Sequence, residues 1–185
     1  MRVLKNFFSE FYRYVLWALV SLFFWGWIFS LMGDTSPDKK LVLCADLPEL
    51  REQELMDALE RDKPEGIRMV TAHPFCYYIF DTEELRTADI FIVGENRAAE
   101  YIESFRPLDE TGFSTEGRAL WTHEGQAYGV LIYDAETGDG AAKAYLPYEH
   151  PEAEKQDYYL FFGAESAHRE DGAAISLAEL IFSLP

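Results

Sequence analysis

The sequence predicts an α/β chain: an N-terminal transmembrane helix, then one three-layer domain with a mainly parallel sheet. Three observations predict it. The run from Tyr14 to Met32 contains no charge. Short apolar runs then alternate with amphipathic ones in the order β-α-β-α-β-α. Beyond residue 108 the pattern changes to a hairpin, a long loop and one more apolar run.

The first run organises the chain. At 1.5 Å per residue, Tyr14–Met32 reaches roughly 28 Å, close to the hydrocarbon core of a bilayer. Trp17, Trp25 and Trp27 lie near its ends, where amphipathic rings favour the headgroup level. Residues 14–32 are therefore expected to span a membrane. Residues 1–13 place Leu4, Phe7, Phe8, Phe11 and Tyr12 at helical spacing, so an interfacial helix leads into the span. Gly33, Asp34, Ser36 and Pro37 break the pattern, and residues 33–38 form a linker. Contact with the bilayer is thus assigned to residues 1–32.

Charge sets the orientation. Residues 1–33 carry Arg2, Lys5 and Arg13 against Glu10, a net of +2, so the remainder holds −19 of the total −17. Basic residues before the span favour a cytoplasmic N-terminus and a domain outside the cell membrane, crossed once. A cleaved signal peptide is the rival reading. The apolar run exceeds the roughly 7–15 residues of an h-region, and no A-x-A site follows. No cysteine near the end of the run marks a lipoprotein. The acidic domain repels phosphate backbones, which excludes nucleic acid as a partner.

Residues 39–185 are expected to form one domain. Lys40–Ala45 reads as a buried strand. Asp46 and Pro48 open a helix carrying Leu50, Leu55, Ala58 and Leu59. Ile67–Ala72 is a second strand. Asp81 and Glu84 suit a capping box, with Phe80 and Leu85 as its staple. Asp89–Val93 is a third strand, and Asn96 caps a helix carrying Ala98, Tyr101, Ile102 and Phe105. Arg118–His123 and Ala127–Tyr133 form a hairpin around Glu124 and Gly125. Tyr158–Gly163 is the return strand. Asp171 and Gly172 open a last helix burying Ala174, Leu177, Ala178 and Ile181. The right-handed crossover rule places the first strand between the other two, in the order 2-1-3.

The order of these pieces resembles the first lobe of extracellular solute-binding proteins, the bilobed type II receptors of ABC importers. KKLVLCADLPELREQELMDALE is similar to the family's first strand and helix. ADIFIVGENRAAEYIESFRPLDE resembles its "ADIF" strand, helix and "PLD" phrase. EGQAYGVLIYD resembles its "dG-x-x-YG-x-P" hairpin, with Leu131 where the family has Pro. YYLFFGAESAHREDGAAISLAELI resembles its return strand and helix. Residues 134–157 stand where the family has a whole second lobe. The resemblance implies a truncated, single-lobe module, non-enzymatic, that accompanies an importer permease or a full binding protein, with carbohydrate as the transported class.

Ligands in open parallel sheets meet the carboxyl ends of the strands. That rule selects Asp46, Tyr77, Tyr78, Glu95 and Asn96. Tyr77, Tyr78, Trp121 and Tyr128 suit stacking on a sugar face, although core or edge packing is the reading that a Tyr- and Phe-rich domain favours for them. No cofactor or metal is expected. His73, His123, His150 and His168 show no H-x-x-x-H spacing, and no calcium loop occurs. Ser166 and Ser176 lack a G-x-S-x-G setting, and there is neither a P-loop nor GxGxxG. No carboxylate pair stands out for glycosidase work. The two cysteines, Cys44 and Cys76, suit either an extracytoplasmic disulfide or small buried apolar positions. Three functions follow in order: an importer accessory module, a stand-alone extracytoplasmic small-solute sensor, and a surface hydrolase.

Overall fold

The computed structural model describes residues 2–33, 35–47, 49–74, 86–149, 151 and 154–185. The expectations for Pro48, Cys76, Tyr77, Tyr78, His150 and the Asp81–Glu84 capping box lie outside the described residues. The chain divides into two units, Met1–Ser36 and Pro37–Pro185.

The first unit is one continuous helix, α1, Arg2–Gly33. Over Phe11–Phe29 it is long and apolar enough to cross a membrane. Apolar residues fill every side of that stretch, and aromatic neighbours pack along it. The Trp25 ring lies 6.1 Å from that of Phe29 and 6.4 Å from that of Phe24. A helix that is apolar all round needs an apolar surrounding.

The second unit is built on one sheet. Its strands are β1 Lys40–Ala45, β2 Met69–Pro74, β3 Ile90–Gly94, β4 Phe105–Arg106, β5 Leu120–His123, β6 Gln126–Tyr133 and β7 Tyr158–Gly163. The order is β2-β1-β3-β7-β6-β5, with β4 pairing β7. β1 pairs in parallel with β2 and β3, so the order 2-1-3 stands. Every other pairing is antiparallel. The sheet is therefore mixed, not mainly parallel. The reason is general: a run that is apolar on both faces reports burial, and burial does not encode direction. All six residues of β7 are buried, as are the last five of β1.

Period-two alternation sends neighbouring side chains to opposite faces. Leu41, Leu43, Ile90, Ile92, Leu160 and Phe162 point to one core. There they meet Leu55 and Leu59 of α2, Glu52–Arg61, and Leu177 and Ile181 of α4, Ala173–Ser183. Val42, Cys44, Phe91, Val93 and Phe161 point the other way. That face packs against Ala98 of α3, Glu95–Ala98, and against Phe105. The Phe105 and Phe161 rings stack at 4.1 Å.

Two helix boundaries differ from expectation. α2 starts at Glu52 rather than at Asp46. Asp46 is engaged elsewhere: its N–H donates to the Ile92 carbonyl at 2.7 Å, and its carboxylate accepts from Arg97. The helix expected to be capped by Asn96 starts one residue earlier, at Glu95, and becomes 3-10 over Ala99–Ser104. Its break is at Tyr101, φ −115° and ψ 16°. The hairpin forms as expected. Glu124 and Gly125 have φ of 51° and 84°, the left-handed pair that a tight hairpin turn requires.

Two glycines permit close approach. A Cβ on Gly163 would sit 1.9 Å from the Ala88 carbonyl oxygen, and one on Gly129 would sit 2.6 Å from the Phe161 ring. Backbone cannot retreat as a ring can turn. Gly163→Ala is therefore expected to cost about 3 kcal/mol and Gly129→Ala about half that. Urea unfolding of the two variants checks the ranking, and a Gly163→Ala protein as stable as wild type would contradict it.

Candidate functional site

The pairings bring four strand ends to one edge of the sheet. Gly94 ends β3 opposite Tyr158, where β7 begins, and Tyr158 also faces Tyr133, where β6 ends. β1 ends at the same edge, its last residue Ala45 paired with Ile92, two residues short of Gly94. Asp46, Glu95 and Asn96 follow β1 and β3 directly, so all three lie there.

Asp46 is committed to an ion pair. Arg97 Nη1 donates to its two carboxylate oxygens at 2.8 and 3.0 Å. Arg97 also donates to the Tyr101 hydroxyl. Burial raises the Asp46 carboxyl above the usual range, and the Arg97 charge opposes that shift. Glu95 and Asn96 are exposed, but their backbone is tied down. Glu95 N–H donates to the Asp157 carbonyl at 2.9 Å, and Asn96 N–H donates to Gln156 Oε1 at 3.1 Å.

Beside them lies a cavity of about 400 Å³. Tyr133, Tyr148 and Gln156 form its inner wall, and Glu149, Glu154 and Lys155 its rim. The Tyr133 and Tyr148 rings stack at 4.6 Å and 13°, and Tyr158 packs against both. The hydroxyls are already used. Tyr133 donates to Glu149 Oε1 at 2.7 Å, and Tyr148 donates to the Ala141 carbonyl at 2.8 Å. Burial, then the Glu149 bond, pushes the Tyr133 phenol up to about 12. In return the Tyr133 bond, then the Lys155 charge, holds the Glu149 carboxyl below its usual range. The wall offers aromatic carbon and one amide, and the rim offers fixed charge. That set can hold a small solute.

Trp121 and Tyr128 are elsewhere. They sit on the hairpin, half-buried, at the second face of the sheet. Trp121 lies edge-on to Phe161 at 5.5 Å, parallel to His123 at 5.8 Å, and 6.4 Å from Tyr128. The structure thus brings Asp46, Glu95 and Asn96 together and leaves Trp121 and Tyr128 apart. Tyr133, Tyr148, Glu149 and Gln156 escaped sequence reasoning. Tyr133 is the last residue of β6, and only the antiparallel β6–β7 pairing brings it to the Tyr158 end. Tyr148 and Glu149 sit in the irregular stretch 134–157, where no periodicity places a side chain.

A second polar cluster lies at the opposite end of the sheet. Ser166 Oγ donates to Asp89 Oδ1 at 2.5 Å and accepts the His168 backbone N–H at 3.0 Å. His168 Nδ1 faces Asp171 Oδ2 at 2.6 Å. Serine, histidine and aspartate meet here, but the imidazole turns away from the serine hydroxyl. Nucleophilic catalysis needs a hydrogen bond between those two groups. Among the described residues, no three His, Cys, Asp or Glu side chains are placed to hold a metal ion.

The Tyr133–Glu149 bond has a direct readout. Tyr133→Phe removes the donor that holds the Glu149 carboxyl low. Its titration, followed by carboxyl-carbon NMR, is expected to move up toward the usual value of 4.5. An unmoved titration would show that the bond is not formed in solution.

In comparisons with known proteins, no family model matches the chain, and no curated protein or solved structure matches it either.

Proposed function

We propose that this chain is a membrane-anchored, non-enzymatic module akin to one lobe of a solute-binding protein. It serves as an accessory or regulatory partner of an ABC-type importer for carbohydrate. The supporting observation is topological. β1 lies between β2 and β3, and β7 returns antiparallel beside β3; the resemblance implies that residues 134–157 stand in place of a second lobe. A receptor of that kind buries its ligand between two closing lobes. One lobe presents a half-cleft, which suits docking onto a permease or a complete binding protein better than capture.

In this reading α1 crosses the cell membrane once, with residues 1–32 in contact with lipid. Arg2, Lys5 and Arg13 keep the N-terminus cytoplasmic, and the acidic domain lies outside. Protease added to intact cells is expected to remove the domain. Digestion only after lysis would reverse the orientation.

The cavity beside Tyr133 and Tyr148 favours a second reading, a stand-alone sensor of a small solute. Affinity separates the two. An open half-cleft leaves one side of a ligand wet, and hydrogen bonds there exchange with solvent at little net gain. The accessory module is expected to bind sugars no better than millimolar, about −4 kcal/mol. Calorimetry of the full chain in lipid nanodiscs, against a panel of sugars and oligosaccharides, decides between them. A micromolar sugar bound by a monomer would favour the sensor.

A further inference from the structure

β1 is paired on both sides over only part of its length. β2 runs alongside all of it, but β3 pairs only Leu43–Ala45. At the start of β1, side chains replace the missing strand. Val42 N–H donates to Asp89 Oδ2 at 2.7 Å. His168 Nε2 lies 3.1 Å from the Pro37 carbonyl oxygen and 3.2 Å from that of Lys40. The other ring nitrogen, Nδ1, faces the Asp171 carboxylate, whose second oxygen caps α4 by accepting the Ala173 N–H at 2.9 Å.

Among the described residues, the groups facing the ring nitrogens are carbonyl and carboxylate oxygens, which accept. An imidazolium, which donates from both nitrogens, matches that set. The side chain is wholly buried. We propose that His168 is a proton-operated clasp that holds the leading segment Pro37–Lys40 of the second unit and releases it on deprotonation.

The identity of the lost contact follows from the partners. A neutral ring keeps one N–H, and the charged carboxylate of Asp171 is the stronger acceptor. The proton therefore stays on Nδ1. Nε2 then turns a lone pair toward two carbonyl oxygens, and the leading segment loses its donor.

The surroundings set the direction. Burial disfavours the charged ring, but the Asp171 bond and the Asp89 charge outweigh it, and His168 is raised above its ordinary 6.5. Lys40 stands on β1, Arg106 on β4, and Arg169 and Glu170 on the loop before α4. Arg169 is turned to Glu110 at 3.1 Å, and Arg106 Nη1 donates to the Arg169 carbonyl at 2.7 Å. A cavity of about 100 Å³ is lined by His168, Arg106, Arg169 and Glu170. A raised folded value means that the clasp is complete below about 6.5 and is lost as pH rises through the folded value. Burial would raise Asp171, but the Ala173 and His168 bonds hold it below its usual range, so its own contribution is lost as pH falls and closes the window from the acid side.

The test uses the full chain in lipid nanodiscs with histidine labelled at both ring nitrogens. Histidine-ring NMR of the wild type is expected to show an imidazolium at pH 6.5 that deprotonates only above it. Hydrogen-exchange protection at residues 38–42 is expected to fall about tenfold over the same pH range. In His168→Gln, whose amide can donate but cannot titrate, protection there is expected to be independent of pH. A wild-type ring that is neutral at pH 6.5 overturns the clasp whatever the variant does. So does protection that falls equally in wild type and His168→Gln.

Discussion

The pairing of Ile90–Gly94 with Tyr158–Gly163 is the constraint from which the rest of the second unit follows. Both strands are buried along their whole length, so every backbone group on them must find a partner within the sheet. β1 satisfies one side of β3, and β7 has to satisfy the other. Because β7 runs antiparallel, its first residue lies beside the last of β3. The chain must therefore be carried back to the strand-end edge after the hairpin. The stretch 134–157 does this, and the tyrosine-walled cavity is formed where it folds over that edge. At the other end of the same pairing, Gly163 N–H donates to the Asp89 carbonyl at 2.9 Å. That contact fixes Asp89, whose carboxylate then reaches Val42 and Ser166. The two polar regions of the molecule are the two ends of one strand pair.

The two ends differ in what their polar groups are free to do. At the Asp89 end, bonds between buried groups hold elements together. At the Tyr133 end, the hydroxyls are engaged, yet Glu149, the partner of Tyr133, and Lys155 stand at an open rim. Rigid rings under a charged, solvent-facing edge make a surface that can meet a solute or a partner without refolding. This division is the physical basis for the proposal that the molecule is a binding module.

Much of the sheet was legible in the sequence. Lys40–Ala45 and Tyr158–Gly163 match the observed strands residue for residue, because short apolar runs bounded by polar residues have few other uses. The hairpin was legible because Glu124-Gly125 sits between two apolar runs. Ile67–Ala72 was placed two residues early, against Met69–Pro74. Direction was not legible, since nothing in YYLFFG marks it as antiparallel. The start of α2 was misplaced because Asp46 has two possible roles, helix cap or ion-pair partner. Only tertiary contact with Arg97 chooses between them. Half of the candidate site was legible by the strand-end rule, at Asp46, Glu95 and Asn96. The cavity wall was not, because Tyr148 and Gln156 reach the edge through irregular chain.

The aromatic packing of the hairpin gives the molecule an optical property. Of its four tryptophans, Trp17, Trp25 and Trp27 lie on the long helix, and Trp121 stands alone in the acidic unit. Its indole touches Phe161 across the face and His123 along the strand, so its emission depends on how the hairpin is docked. A chain with phenylalanine at positions 17, 25 and 27 would contain a single tryptophan. Its spectrum would report the packing of β5 and β6 on the sheet without any added dye.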